Sequence, residues 1–430
     1  MPETLPAPVP AVPRDPEVVR AAAEAAVWAH PALLGYRELR TEVRTGVGSF
    51  GVLHHDAGPA APGDGTRWGD PHVLRSSAWL DLRPEPAVVG HPDLPPGLYA
   101  GLQVVDLLAR TVAHLGTAAT GPAAADWAVA GPGWDGRVPA GVRGVLRSAS
   151  GVVRVVARTA VPTPGDLPAA RALQRRFRVR PLHALGGVVP PRPAPSLAWL
   201  PWDEERAWGA GFVDYLALLL RLTRPADPGD RALLDRWARL GLLPGTDGTL
   251  DPRTRALVAR GAALGAAQLE DALRRERPDP GRGAPEDAAL RRAVAAVHEL
   301  HAPEPEEVRA VRRRSLDGEP LEGRRRYRLV LPGPVPARLG WSLAAYAEPS
   351  GELVATPLHR AALGAGTAGL PWSGDGSLAV AVQHDAPLDV ARRAGWLPVP
   401  PGPFSLVLRL YAPDAGAAAA GWAPELRAVG

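Results

Sequence analysis

The order of strand-like and helix-like segments limits the folds open to this chain of 430 residues. Short β-rich runs separated by proline and glycine turns come first, helix-periodic segments follow, and β-rich runs then return. Because strands and helices do not alternate along the chain, a Rossmann-like parallel sheet is excluded. The spacing of the β-rich runs favours antiparallel sandwiches or barrels. The sequence therefore predicts an α+β fold, mainly β, with a helical insert of about four helices.

Capping residues and the periodicity of apolar residues predict where the helices and strands lie. Asp15 and Pro16 offer an N-cap and a first-turn proline for an alanine-rich helix that runs through Ala32, and Asp166 caps a helix that ends near Phe177. The predicted strands of the first half are Ser77–Leu82, Leu98–Leu107, Asp126–Gly131 and Val152–Thr159. The predicted helices of the insert are Asp203–Leu222, Gly229–Leu242, Pro252–Arg277 and Pro285–His301. The predicted strands of the second half are Tyr327–Leu331, Leu339–Tyr346, Leu353–Thr356, Ser377–Gln383 and Phe404–Tyr411.

These elements and the composition of the segments between them predict five divisions of the chain. They are a disordered lead-in (1–14), an N-terminal helix with the first β domain (15–190), the helical insert (200–303), a charged linker (304–326) and the second β domain (327–430).

The stretch Gly395–Pro413 is the least generic part of the chain. Its four prolines between Pro398 and Pro403 lack backbone donors, so the stretch up to Pro403 belongs at the edge of a sheet. The residues from Phe404 onward alternate, which is the period of a strand. One face is apolar, and the other carries Arg409 and Tyr411 among aliphatic residues. That second face is either an ordinary surface or the partly polar wall of a ligand-bearing sandwich.

Composition excludes several kinds of chemistry. The chain has no cysteine, so disulfides, thiolate metal ligands and thiol nucleophiles are ruled out. All 49 basic residues are arginine, as expected of GC-rich coding, and the formal net charge is only +4, so nucleic acid is not predicted as a partner. The N-terminus lacks an apolar signal segment, and no apolar run is long enough to span a bilayer. A cytoplasmic protein without a membrane partner is the expectation, and a homodimer stays open.

No cofactor or metal site is predicted. Gly131-Pro132-Gly133 neither closes a strand nor opens a helix as dinucleotide-binding glycines do, and the chain has no phosphate loop. His54-His55-Asp56 and the His298/His301 pair are the closest groups of metal-ligating residues. Neither has a third ligand nearby in sequence.

Tryptophan stands out among the aromatic residues, with 13 Trp against 6 Tyr and 4 Phe. Core and edge packing is one explanation. The alternative is an aromatic pocket that holds an apolar or cationic small molecule. The substrate-binding candidates are Trp79, Tyr99, Trp134, Arg158, Trp341, Tyr346, Arg360 and Trp396.

An ordered series of motifs between about residues 25 and 428 carries a family resemblance. In the first half the motifs are Ser76-Ser77-Ala78-Trp79-Leu80-Asp81-Leu82, Glu85-Pro86, Gly97-Leu98-Tyr99 with Gln103 and Asp106, Gly131-Pro132-Gly133-Trp134-Asp135-Gly136, Arg158-Thr159, and Asp166-Leu167 with Gln174. In the second half they are Gly340-Trp341-Ser342-Leu343 with Tyr346, His359-Arg360, Asp375-Gly376-Ser377-Leu378, Arg409-Leu410-Tyr411 and Trp422. The chain resembles the paired domain-of-unknown-function 1254 and 1214 proteins. The resemblance implies two jelly-roll-like β-sandwich halves with a helical segment between them, and it implies no reaction.

One local departure from the family suggests where chemistry lies. The family's usual Asn-x-Asp-Thr-x-Tyr before the first sandwich strand is here Asp70-Pro71-His72-Val73-Leu74-Arg75. An imidazole oriented by Asp70, beside Arg75, is a candidate general base with an anion clamp. Asp106 is a further catalytic candidate. The same substitutions fit a member that lost its ancestral site, and both explanations stay open.

Two functions follow from these features. The first is a cofactor-independent enzyme, of the cyclase, lyase or isomerase type, that uses Asp70 and His72 in acid–base chemistry on a hydrophobic small molecule in specialised metabolism. The alternative is a non-catalytic binding or carrier protein that holds a hydrophobic small-molecule ligand in a Trp-lined sandwich interior.

Overall fold

The structure, a computed structural model, describes residues 15–44, 50–187, 189–225, 227–243, 250–275, 287–298, 307–312, 319–356, 358, 360–414 and 422–429. These residues form an α+β fold with four sheets. The predicted lead-in, residues 1–14, lies outside them. The α-helices are α1 (Asp15–Arg44), α2 (Leu167–Gln174), α3 (Leu182–Gly186), α4 (Glu204–Trp208), α5 (Phe212–Leu222), α6 (Pro228–Arg239), α7 (Pro252–Arg275) and α8 (Ala288–His298).

Nine strands build two sheets in the first half. They are β1 (His54–His55), β2 (Val73–Asp81), β3 (Ala87–His91), β4 (Ala100–Asp106), β5 (Thr111–Gly116), β6 (Ala125–Ala130), β7 (Val142–Arg147), β8 (Val152–Ala160) and β9 (Arg178–Pro181). Sheet I has the order β1-β2-β8-β4-β5, and sheet II has the order β7-β6-β3-β9. One aliphatic core contains residues of both sheets, such as Val155 of sheet I and Val129 of sheet II, so the two sheets face each other across it.

The second half also has two sheets. Its strands are β10 (Glu307–Arg312), β11 (Arg326–Leu331), β12 (Trp341–Ala347), β13 (Glu352–Leu353), β14 (Ala362–Gly364), β15 (Leu378–Gln383), β16 (Trp396–Pro398), β17 (Phe404–Tyr411) and β18 (Glu425–Val429). Sheet III has the order β10-β17-β12-β13 with β14 also on β12, and sheet IV has the order β16-β15-β11-β18. Leucines and valines of both sheets share one core. The jelly-roll strand connection stays a prediction.

The strand β17 has the predicted bounds, and the proline-rich segment before it supplies β16, at the edge of sheet IV as the prolines require. Every residue of β17 is buried. Its apolar face, with Leu406 and Leu408, packs into the core shared with sheet IV. Its other face is covered by residues of the first half, among them Trp68 and Tyr99. The interpretation of Arg409 and Tyr411 as surface residues is therefore wrong.

The first helix packs on the helical insert as well as on the first β domain. The apolar residues of α1 share one core cluster with α5, α6 and α7, and the same cluster contains Trp79 and Val152 of sheet I. The indole of Trp28 lies edge-on to that of Trp237 of α6, with 5.7 Å between ring centroids. The division of the chain at 15–190 stays a prediction, and the contacts of α1 with the insert form because an apolar helix face packs wherever a complementary face is available, however far along the chain.

Two segments differ from the prediction. The predicted helix Asp203–Leu222 is two helices, α4 and α5, separated by the helix-breaking Gly209-Ala210-Gly211, so five helices are described in the insert. The predicted linker 304–326 contains β10, which pairs antiparallel with β17 from Glu307 to Arg312. The charged residues of this segment concealed a strand, because pairing at a sheet edge is made by the backbone.

The crossing of α1 and α7 depends on glycine. A Cβ atom at Gly261 of α7 would lie 2.4 Å from Ala22 Cβ and 2.7 Å from the Val19 carbonyl of α1. We expect Gly261→Ala to lower the free energy of unfolding by about 1–3 kcal/mol through overpacking, measured by urea unfolding. Gly35 of α1 is the matched control, since nothing lies within 4 Å of its Cβ position. Gly35→Ala should instead stabilise by about 0.5–1 kcal/mol, and a Gly261→Ala protein of unchanged stability would contradict the close crossing.

Candidate functional site

A cavity of about 710 Å³, here called the cleft, lies between α1 and the face of sheet I that is turned away from its aliphatic core. The loop from Asp56 to Asp70, α4 and α8 close its other sides. The lining residues that bear charge or an aromatic ring are His30, Arg37, Glu38, Asp56, Asp64, Arg67, Trp68, Asp70, Arg75, Arg154, Arg158 and Trp208. The cleft thus lies between the helices α1, α4 and α8 on one side and sheet I with its loop on the other.

Three arginines of sheet I form one wall of the cleft. Arg75 of β2 lies directly opposite Arg158 of β8 in the antiparallel register. Arg154 is four residues from Arg158 on the same strand and therefore on the same face. Such opposed pairs have Cβ atoms about 5 Å apart, and like charges in them are destabilising. The wall concentrates positive charge where strands usually place neutral or oppositely charged pairs.

Carboxylates of α1 and of the loop compensate part of this charge. Arg154, with 3% of its side chain exposed, pairs with Glu38 and, at 2.9 Å, with Glu42. Arg75 pairs with Asp56 at 3.3 Å, and both of these side chains are more exposed. Arg158 Nη1 donates to the neutral amide oxygen of Gln103 at 2.9 Å.

Burial and crowding shift the pKa values of this layer. Burial, together with the charge of Arg158, lowers the pKa of Arg154 to about 9. Burial raises the pKa of Glu42, although its hydrogen bond with Trp79 and the charge of Arg75 oppose the rise. Both pKa shifts disfavour the charged form of the group concerned. The ion pair of Arg154 and Glu42 is therefore buried at an electrostatic cost.

The opposite wall of the cleft is aromatic and aliphatic. The imidazole of His30 on α1 packs on the indole of Trp208 with 4.7 Å between ring centroids. Burial, and secondarily the charge of Arg37, lowers the pKa of His30 to about 4, so the ring is neutral at neutral pH. Leu34 and Val297 extend this wall. The cleft therefore offers cations on one side and flat or apolar surface on the other.

At one end of the cleft, three side chains of the second half hold three successive residues of the first half. Arg409 Nη2 donates to the Trp68 carbonyl at 2.6 Å, and Tyr346 Oη donates to the Gly69 carbonyl at 2.6 Å. Tyr411 Oη donates to the Asp70 carboxylate, whose Oδ2 also lies 3.6 Å from Arg409 Nε. We call these six residues the junction network.

The junction network is buried and locally strained. Arg409 is 0% exposed, and its Nη1 donates to Tyr346 Oη at 2.8 Å. Trp68 has φ of 55°, a left-handed conformation that a large side chain rarely adopts and that costs on the order of 1–3 kcal/mol. Its indole packs on Tyr346 at 5.2 Å between ring centroids. The strained backbone persists because Arg409 and the neighbouring strands hold it.

The predicted general base is not assembled as expected. Asp70 accepts from the backbone N–H of His72 at 2.9 Å, while the imidazole Nδ1 of His72 pairs with Ser342 Oγ at 2.9 Å. Arg75 lies further along β2 and pairs with Asp56. The carboxylate thus does not orient the imidazole, because the turn before β2 points the ring toward sheet III. The arginine that accompanies Asp70 is Arg409, 339 positions along the chain.

The pKa shifts of Asp70 and His72 have different causes. Burial would raise the pKa of Asp70, but the charge of Arg409 and the hydrogen bonds from Tyr411 and the His72 amide outweigh it, so the pKa is lowered. Burial lowers the pKa of His72, although the Asp70 charge opposes the change. Asp70 is therefore a firmly ionised carboxylate and His72 a neutral imidazole at neutral pH.

The remaining candidates are dispersed. Tyr99 stacks on Tyr411 at 4.8 Å between ring centroids and so borders the junction network, whereas Asp106 accepts from the Leu108 and Arg110 amides in a turn. Arg360 donates to backbone carbonyls of residues 393, 394 and 396. The tryptophans lie beneath the helices (Trp79), in a turn (Trp134), in the second core (Trp341) and at the edge of sheet IV (Trp396). These four do not line the cleft, and aliphatic residues predominate in the two cores between facing sheets, although Trp341 lies in the second of them.

Sequence reasoning missed several residues of the cleft. Arg154 carried a signal, since it stands between the valine pairs 152–153 and 155–156 of β8, where a charge needs a partner. Glu38 and Glu42 carried none, because the helix was predicted only through Ala32. Of the His298/His301 pair, at which no metal site was predicted, His301 lies outside the described residues, as does His359 of the family motif.

Comparisons with known proteins agree with the fold. Two families match the chain, "Protein of unknown function (DUF1254)" over residues 48–181 and "Protein of unknown function (DUF1214)" over residues 306–415. Together they span more than half of the sequence, so the chain belongs to the family of proteins that pair these two domains. No curated protein matches it in sequence.

One solved structure shows a similar architecture. The VPA0106 protein from Vibrio parahaemolyticus superimposes with a TM-score of 0.73 at 19% identity, over 96% of this chain and 100% of that one. An uncharacterized protein from Burkholderia cenocepacia matches with a TM-score of 0.45 at 12% identity, over 96% of this chain and 95% of that one. At this identity, the first likeness supports the fold alone. Within the described residues, no helix combines the length and the apolar character needed to cross a bilayer.

Proposed function

We propose that this protein binds a small molecule in the cleft, and that the ligand combines a negatively charged group with a flat or apolar part. One observation carries the proposal: Arg75 and Arg158 occupy directly opposed positions of β2 and β8 and both line the cleft. An anion between two guanidiniums converts a like-charge repulsion into two charge-assisted interactions. Arg154 beside them already pairs with Glu38 and Glu42, so the anion site consists of Arg75 and Arg158.

The second part of the ligand follows from the opposite wall. His30, neutral because of its lowered pKa, and Trp208 present two rings in contact at an interplanar angle of 32°, and Leu34 and Val297 add aliphatic surface. Binding sites for small molecules are commonly apolar with a few placed polar groups, and a volume of 710 Å³ lies in their usual range. The proposal keeps the small-molecule ligand expected from the sequence but moves it from a sandwich interior to the cleft.

The enzymatic hypothesis stays a prediction, and the arrangement of its residues supports it less well. Three groups engage Asp70, namely Tyr411, Arg409 and the His72 amide, and its pKa is lowered, so it is a weak base. The His72 ring points to Ser342. A ligand recovered chemically unchanged after prolonged incubation would favour binding, whereas a new product would favour the enzyme.

The test compares two dyes that share their ring system and differ in charge. Anilinonaphthalenesulfonate carries a sulfonate, and N-phenylnaphthylamine is its neutral counterpart. We expect Arg158→Gln to weaken binding of the sulfonate by about tenfold to a hundredfold, since a charge-assisted hydrogen bond contributes about 1.5–3 kcal/mol. The affinity for the neutral dye should change by less than twofold, as fluorescence titration will show.

The matched control is Arg180→Gln. Arg180 is a half-exposed arginine of sheet II that pairs with Asp126 and does not line the cleft. It should leave the affinity for both dyes unchanged. Equal affinity of the wild type and Arg158→Gln for the sulfonate, or equal loss for both dyes, would refute the anion site.

A further inference from the structure

We infer that Arg409 of the second half is a positioning residue of the cleft, so that the ligand site is complete only when both halves of the chain are docked. This inference rests on the proposed function. Arg409 is fully buried and does not itself line the cleft, whereas Trp68 and Asp70, which it holds, both do. It therefore acts on a ligand through them.

The contacts of Arg409 explain why the first half does not shape this end of the cleft alone. The left-handed backbone of Trp68 is unfavourable for a residue with a bulky side chain and needs external restraint. The restraint comes from sheet III: Arg409 binds the Trp68 carbonyl, and the Trp68 amide donates to the Gly351 carbonyl at 2.8 Å. Both partners belong to the second half of the chain.

The carboxylate of Asp70 is held from the same side. Tyr411 and Arg409 both engage Oδ2, which fixes the carboxylate at the end of the cleft nearest sheet III, and the Arg409 guanidinium balances its charge. The opposed arginines Arg75 and Arg158 lie on β2 and β8. A ligand anion is placed at those two arginines, and the junction network shapes the end of the cleft beside them.

Two variants weaken this restraint to different degrees. Tyr411→Phe removes only the hydroxyl that holds Asp70 and keeps the ring that stacks on Tyr99. Arg409→Lys keeps the charge but loses the planar fork that joins Tyr346 to the Trp68 carbonyl. Tyr327→Phe is the matched control for the tyrosine, because Tyr327 is a buried residue of sheet IV whose hydroxyl accepts from the Glu322 amide. Arg427→Lys on β18 is the matched control for the arginine.

The experiment measures two quantities on each full-length variant: the Kd for anilinonaphthalenesulfonate, and deuterium exchange of the segment 66–72 without dye. We expect Tyr411→Phe and Arg409→Lys to raise the Kd about tenfold and to accelerate exchange in that segment, whereas both controls match the wild type. A Kd within twofold of the wild type in folded Tyr411→Phe protein overturns the inference. If Arg409→Lys does not fold, Tyr411→Phe decides the matter.

The two measurements also separate this inference from the function on which it rests. A wild type that binds no sulfonate dye overturns the proposed function. Deuterium exchange in the segment 66–72 then still decides whether the second half of the chain orders this end of the cleft. Faster exchange in Tyr411→Phe than in the wild type supports this ordering role, and unchanged exchange overturns it.

Discussion

Arg409→Met is expected to lower the free energy of unfolding by about 3–5 kcal/mol, the usual loss when one member of a buried ion pair is removed. Methionine fills much of the volume of arginine, so the loss would come from charge and hydrogen bonds rather than from a cavity. The substitution leaves the buried Asp70 carboxylate without its cation, and it leaves the Trp68 carbonyl and the Tyr346 hydroxyl without their donor. Urea unfolding followed by tryptophan fluorescence measures the effect.

The control and the rescue separate the charge effect from a general loss of arginine. Arg427→Met, at an exposed position of β18, should change the free energy of unfolding by no more than about 0.5 kcal/mol. Adding Asp70→Asn to Arg409→Met should recover part of the loss, because the buried negative charge is then gone. A loss below about 1 kcal/mol in Arg409→Met would show that the junction network does not stabilise the fold.

Acidification from pH 6.5 to pH 4 is expected to destabilise the protein by up to about 3 kcal/mol through His30 alone. The pKa of His30 is lowered from 6.5 to about 4 in the folded chain. Between these values the unfolded chain binds the proton and the folded chain does not, so stability falls as the pH falls. Above pH 6.5 the contribution is fully present.

His72 and Asp70 of the same region act in the same direction, whereas Glu42, whose pKa is raised by burial, acts in the opposite direction. The pKa of His72 is also lowered, so it adds to the loss below pH 6.5. The pKa of Asp70 is lowered from 3.8, so its contribution is present above that pH and is lost only as the pH falls further. The positive charge of Arg37 opposes protonation of His30, and the Trp208 ring covers it.

Thermal unfolding across this pH range tests the prediction. His30→Phe keeps a ring against Trp208 and removes the titrating group, so its melting temperature should depend much less on pH between 6.5 and 4. His384→Phe in the second half, where Nδ1 of the imidazole pairs with the Val399 carbonyl, should keep the wild-type dependence. Identical pH profiles for the wild type and His30→Phe would show that His30 is not a neutral buried group.

Much of the fold was predictable because it depends on local patterns. The alternation in Phe404–Tyr411 predicted β17 with its observed bounds, and the prolines before it placed β16 at an edge. Short strands without clear alternation, such as β3 and β9, were missed, because their pairing with neighbours and not their own composition defines them. The strand β10 was hidden by its charges for the same reason.

The candidate site was less accessible to sequence reasoning. Asp70 and His72 were singled out because they depart from the family pattern, and both prove to lie where the two halves of the chain meet. Their partners Tyr411, Arg409 and Ser342 come from strands about 270 to 340 residues away. No local pattern indicates which distant side chain a buried carboxylate or imidazole will contact.

The sequence by itself determined the family, the α+β class and the two-faced character of β17, since periodicity, turn residues and motif order are properties of short segments. Only the tertiary structure decided what covers each face. Strand periodicity shows that a second face exists, but whether Arg409 and Tyr411 meet water, a ligand or the segment from Trp68 to Asp70 depends on how the two halves dock. Tertiary packing also places α1 over the arginines of sheet I, where Glu38 and Glu42 pair with Arg154 at the cleft.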